Sequence, residues 1–222
     1  MMIRRVVGTL FALLAFAAIP LEAQFAPAGA FGPLPAATFG GSGIPNNAVM
    51  INTFDGVTIA LTATARYASP TVTNNGAGTY YYTPGLSAPS RSKWNFDYYV
   101  AGANVGDYSY VLYYDFNPGV NTPTAQLGTI AFGSAAIQDS WNSGFGFLGV
   151  TGGPIVAPAG SFDPNALGEY NFALLQYNRA GLEVGRVAMN VSAVPEPVSL
   201  VLMGTGLLGL GFVGAFRRRK SA

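Results

Sequence analysis

Where the apolar residues between positions 48 and 193 are ordered at all, they recur at every second position, and no stretch sustains the 3.6-residue period of an amphipathic helix. That pattern restricts the body of the chain to sheet architecture. In residues 57–65, Val57, Ile59 and Leu61 alternate with Thr58, Ala60 and Thr62, which suits a half-buried strand behind an Asp55-Gly56 turn. Asn74-Asn75-Gly76 signals another turn, and the Tyr-rich residues 79–83 follow it as a strand. Residues 93–100 and 107–116 make the strongest pair. Tyr108, Tyr110, Leu112 and Tyr114 share one face of the second, Trp94, Phe96 and Tyr98 form a matching face on the first, and residues 101–106 suit a hairpin loop. Residues 126–132 read as a short strand, and the glycine-laden residues 141–153 as loop or bulged strand. Residues 170–177 and 182–191 close the body as a hairpin around Asn178-Arg179-Ala180-Gly181. About eight short strands at this turn density predict a mainly β chain with one antiparallel β-sandwich domain over residues 48–193, immunoglobulin-like or jelly-roll-like.

Both ends differ from this body. Arg4 and Arg5, the apolar residues 6–19, Pro20 and small Ala23 follow the order of a secretory signal peptide over residues 1–23. Residues 24–47 carry Pro27, Pro33, Pro35 and Pro45 and no charge. They read as a loosely packed Pro/Gly/Ala-rich leader, with a short edge strand near Phe39 as the alternative. At the other end, Pro195-Glu196-Pro197 precedes an uncharged run, residues 198–216, and then Arg217, Arg218, Arg219 and Lys220. As a helix the run would measure ~28 Å, against a hydrocarbon core of ~30 Å. Its glycines cost helix stability in water but are common in membrane helices, and proline suits a first helical turn near Pro197. The basic cluster reads as a stop-transfer signal on the cytoplasmic side, which leaves the body outside the cytoplasm.

These three parts, in this order at the C-terminal end, resemble the PEP-CTERM sorting signal, over residues 194–222 only. The resemblance implies an exported protein of a Gram-negative bacterium, anchored by a transmembrane helix over residues 198–216. It implies recognition of Pro195, Glu196 and Pro197 by exosortase, a membrane-embedded cysteine protease, and delivery to the cell surface or the extracellular matrix. It also implies an association with exopolysaccharide. The sortase motif Leu-Pro-x-Thr-Gly is absent, and a GPI signal ends in its hydrophobic tail rather than in four basic residues.

Between the two ends, five basic residues stand against eight acidic ones, so no basic patch suits nucleic acid. The chain has neither cysteine nor histidine. Its core must hold by packing and hydrogen bonding without disulfides. Ser-His-Asp triads, cysteine nucleophiles and the common zinc sites are excluded. Asp97, Asp107 and Asp115 lie on or near one expected hairpin, whereas a glycosidase needs two carboxylates ~5–9.5 Å apart across a cleft. Phe162-Asp163-Pro164-Asn165-Ala166 offers too few oxygen ligands for a calcium loop and reads as a turn. The chain is therefore read as non-enzymatic, with no metal and no cofactor. The aromatics remain. Tyr80, Tyr82, Trp94, Tyr98, Tyr110 and Trp141, if exposed in a row, would stack on sugar rings and make a carbohydrate-binding module for exopolysaccharide. Otherwise they fill the core, as aromatics in strands commonly do. A glycan-active enzyme using paired Asp residues is the least favoured reading.

Overall fold

The computed structural model describes residues 26–67, 71–88 and 91–195. The expected signal peptide, Glu196 and Pro197 of the sorting motif, the expected membrane helix and the basic cluster lie outside the described residues.

The strands, in chain order, are β1 (Ala30–Gly32), β2 (Val49–Phe54), β3 (Val57–Ala65), β4 (Thr73–Asn74), β5 (Thr79–Tyr82), β6 (Leu86–Ala88), β7 (Arg91–Ser92), β8 (Trp94–Gly102), β9 (Ser109–Tyr114), β10 (Gly128–Phe132), β11 (Ile137–Trp141), β12 (Ile155–Val156), β13 (Gly168–Tyr177) and β14 (Glu183–Ala193). One sheet has the order β1-β2-β3-β8-β11, the other β12-β10-β9-β13-β14-β5-β4, and β6 and β7 form a separate ribbon. The pairings are antiparallel apart from β14 with β5. The chain is thus mainly β. Among the described residues no helix is long and apolar enough to cross a membrane.

The two sheets pack face to face on one core, consistent with a β-sandwich. Ile59 and Leu61 of β3 and Trp94, Phe96, Tyr98 and Val100 of β8 meet Tyr110, Leu112 and Tyr114 of β9, Phe172 and Leu174 of β13, and Val187, Met189 and Val191 of β14. Rings lock across the gap: Phe96 stacks on Phe172 with centroids 5.0 Å apart, and Trp94 lies 5.0 Å from Tyr82. Aromatic rings supply the large buried area that a chain without disulfides requires.

Two strand expectations match closely. β3 spans the alternating β-branched run. β13 and β14 pair along their whole length from Gly168↔Ala193 to Tyr177↔Glu183, and Asn178 Oδ1 accepts the Ala180 and Leu182 N–H groups in the turn.

Three expectations need correction. The segments around 93–100 and 107–116 are not a hairpin. β8 pairs with β3 and β11 in one sheet, and β9 pairs with β10 and β13 in the other. Across the core the β8 rings meet Tyr82 of β5, Phe172 of β13 and Phe132 of β10, because alternation gives a segment an apolar inner face without choosing the sheet it joins. The leader is not loosely packed either. β1 pairs with β2, and Ala28 exchanges backbone hydrogen bonds with Ala188. Beyond β1 the chain folds over the outer face of the five-stranded sheet, where Ala37 and Phe39, with Leu34 and Ile44, pack on Ala60, Tyr99 and Ile51. Phe39 is fully buried. The chain therefore packs with the sheets from Ala28 onward, ahead of residue 48. Lastly, β11 was not expected from the sequence, since Ile137 is its only β-branched residue.

Candidate functional site

Register fixes where the chain leaves the body. Ala193 at the end of β14 lies opposite Tyr82 at the end of β5, and the Val194 N–H donates to the Tyr82 carbonyl at 3.0 Å. β13 begins at this end, because Gly168 faces Ala193. So does β10, with Gly128 opposite Tyr114. β3 ends and β8 begins here, Ala65 facing Trp94, whose ring meets Tyr82, Phe162 and Tyr170. Backbone bonds tie the loops together: Glu169 N–H to the Pro118 carbonyl and Gly85 N–H to that of Pro164. Gly168 has φ +141°, and a Cβ there would lie 2.0 Å from the Pro118 oxygen, so only glycine permits that contact. Pro195, the first residue of the expected sorting motif, is exposed immediately beyond this exit.

The expected sugar platform is not on the surface. Tyr80, Tyr82, Trp94, Tyr98 and Tyr110 are all buried between the sheets, and Trp141 is half-buried against Phe96, Tyr98 and Phe147. Alternation places these rings on one face of their strands, and that face is the inner one. Burial raises the Tyr80 and Tyr110 hydroxyls to about 12. The Tyr80 hydroxyl donates to the Ala48 carbonyl at 2.6 Å and that of Tyr110 to the Val105 carbonyl at 3.0 Å. These hydroxyls serve the body's own backbone.

A different aromatic group gathers at the exit end. The Arg91 guanidinium carbon lies 4.8 Å from the Phe145 ring centroid, and Arg91 Nη1 donates to the Gly144 carbonyl. The Arg66 guanidinium carbon lies 5.9 Å from the centroid of the same ring and 5.3 Å from that of the Tyr67 ring. Phe145 in turn stacks on Phe147. Beside them a recess of about 420 Å³ is lined by Leu86, Phe116, Ser143, Phe145, Ser161 and Phe162, among others. Its walls are apolar and backbone-rich, without a titratable side chain. No sequence pattern announced this group, because Arg66, Arg91 and Phe145 are far apart in the chain and join only through the pairing of β8 with both β3 and β11.

The carboxylates are spread out. Asp107 pairs with Arg179 at 2.6 Å, and Asp139 accepts the Trp141 indole N–H at 2.7 Å. Asp115 is buried and accepts the Asn117 and Asn171 backbone N–H groups, while burial raises its carboxyl. Asp163 accepts the Asn165 N–H, the turn expected there. Asp97 is different. It lies on the outer face of β8 between Thr62 and Ser140, on the side the leader covers, and is fully buried. Burial pushes its carboxyl up to about 7; Ser140 and Thr64 oppose the rise without completing a hydrogen bond, and the Asp139 carboxylate adds to it.

No family model matches this chain, and comparison with curated proteins finds no match.

Proposed function

We propose that the chain is an exported, non-catalytic surface or matrix protein. Its body, in this reading, is a sandwich of the immunoglobulin-like or jelly-roll-like class, which the crossing of β8, β9, β10 and β11 between sheets supports. A helix over residues 198–216 holds it to the inner membrane, and an exosortase-type protease cuts at Pro195-Glu196-Pro197. One observation carries the reading: the last described strand stops two residues short of the motif, and the first motif residue is exposed. β14 is an interior strand that stops at Ala193, Val194 makes one last backbone bond, and Pro195 is exposed. A protease needs extended, accessible chain, and the prolines bias their preceding residues to that conformation.

The test is expression of the full chain, tagged after Ala222, with and without exosortase. Loss of the tag only where the protease is present is the expected result, and Glu196→Ala should prevent it. Equal retention in both strains overturns the processing step. The association with exopolysaccharide gains no support from the six named rings, since five of them are buried.

A further inference from the structure

The two ends of the body expose different chemistry. Tyr67, Leu86, Val120, Phe147 and Leu167 are large apolar residues exposed in the loops of the exit end, and Phe54 and Leu182 are exposed at the far end. The cations divide in the same way. Arg179 and Arg186, beyond the far end of β13 and near the start of β14, pair with Asp107 and Glu183. Arg66, Arg91 and Lys93 lie at the exit end, joined by the Arg66 N–H to Lys93 carbonyl bond of 2.8 Å. Of the acids there among the described residues, Asp115 is buried and hydrogen-bonded, Asp163 caps its own turn, and Glu169 is set back on β13 opposite Ser192. Guanidinium groups lying on rings, with apolar side chains around them, form a surface with one charged and one greasy component. Such surfaces settle in the headgroup zone of a bilayer, where aromatic rings and the stems of basic side chains contact acyl chains while the charges meet lipid anions.

Distance places such a bilayer within reach. Only residues 195–197 separate Val194 from the uncharged run, and three extended residues reach ~10 Å. That is about one Debye length at ~0.1 M salt, so the exit-end charges would lie inside the field of anionic headgroups. We propose that the exit end docks on the membrane that holds the tail. Arg66 and Lys93 meet anionic phospholipid headgroups, and Tyr67, Phe147 and Leu167 lie at the boundary with the acyl chains. The domain then stands end-on, with the loops of Asp55, Asp107 and Arg179 pointing away. This rests on the anchor reading of residues 198–216.

The absence of native cysteine makes the test direct, because any introduced cysteine is a unique label site. Full-length Val120→Cys, Leu167→Cys, Phe54→Cys and Leu182→Cys variants, carrying a fluorophore, are reconstituted in vesicles containing phosphatidylglycerol with headgroup-spin-labelled lipid. Flotation with the vesicles reports the anchor, and quenching reports docking. Exit-end probes should be quenched about threefold more than far-end probes, and ~1 M salt should remove at least half of that difference. Lys93→Gln combined with Arg66→Gln should act like salt. Equal quenching at both ends of floated protein overturns docking and leaves the anchor standing. Failure to float overturns the anchor and docking together. Shielding of the exit-end probes by soluble polygalacturonate rather than by vesicles assigns this face to an acidic glycan and also overturns docking.

Discussion

Asp97 is a main contributor to the pH response of the body, beside Asp115 and Glu169, whose carboxyls burial also raises. The Asp97 carboxyl has a reference value of 3.8 unfolded and about 7 when folded, because burial disfavours the charged form. The folded state therefore holds a proton that the unfolded state has lost between those values. Stability falls as pH rises through that window, by about 1.4 kcal/mol per unit, and levels off above it. The full penalty is of order 4 kcal/mol at most, since solvent reaching the site would reduce it. Asp97→Asn keeps the shape and removes the charge. It should raise the thermal midpoint at about pH 8 and leave it nearly unchanged at about pH 4, as read by circular dichroism. A midpoint at about pH 8 that does not rise would show the carboxylate to be solvated or paired. Asp107 and Arg179 mark the other extreme. Their side chains are 56% and 80% exposed, and an ion pair in that setting is worth about 0–1 kcal/mol. Arg179→Ala should move urea unfolding by less than about 1 kcal/mol, with most of any change lost in high salt.

At the scale of elements, the leader decides how many layers the body has. Phe39 is held in place by Gln138, whose Oε1 accepts the Thr38 and Phe39 N–H groups at 2.9 and 2.8 Å. Its ring fills the cluster over Ala60 and Tyr99, so Phe39→Ala should cost about 3–5 kcal/mol in urea unfolding. A leader that merely hangs from the domain would give no change. The sequence conceals this because four prolines and the lack of charge read as loop, and beyond β1 the chain is indeed irregular up to β2. What period-two reasoning lacks is a template for irregular chain that plugs a sheet. The same rule reads β3, β13 and β14 well, since β-branched or apolar residues alternate there without interruption and a turn signal closes the hairpin. It fails for β8 and β9. Alternation identifies the two faces of a strand but not the sheet it joins, and a six-residue connection fits a hairpin or a crossing equally. The aromatic positions share this limit: Trp94, Tyr98 and Tyr110 alternate as clearly in a core as on a surface. β11 lacks the β-branched run that marks a strand and is ordered by its neighbour β8.

For the whole molecule, the expected sorting tail and the body are separable in the sequence, and the last described strand ends before the tail begins. Arg66, Arg91 and Phe145 meet only after the sheets assemble, so the exit-end surface could not be read from the chain, whereas the motif beside it could. β14 runs between β13 and β5 with Val191 and Ala193 in the core, and its last pairings are Gly168↔Ala193 and Ala193↔Tyr82. A cut within Pro195-Glu196-Pro197 leaves all of these contacts in place. A chain ending at residue 195 should therefore melt within about 2 °C of the full-length protein in the same detergent, because every ladder bond and buried side chain among the described residues is kept. A chain ending at Met189 loses the buried Val191 side chain, the Ala193 contacts and the pairing with Tyr80, Tyr81 and Tyr82. Losing that much of an interior strand should cost several kcal/mol, on the order of the whole stability of a domain this size. Calorimetry on the two truncations separates the possibilities. If the chain ending at residue 195 melts well below the full-length protein, the tail is part of the fold, and cleavage at the motif would act on stability as well as on location.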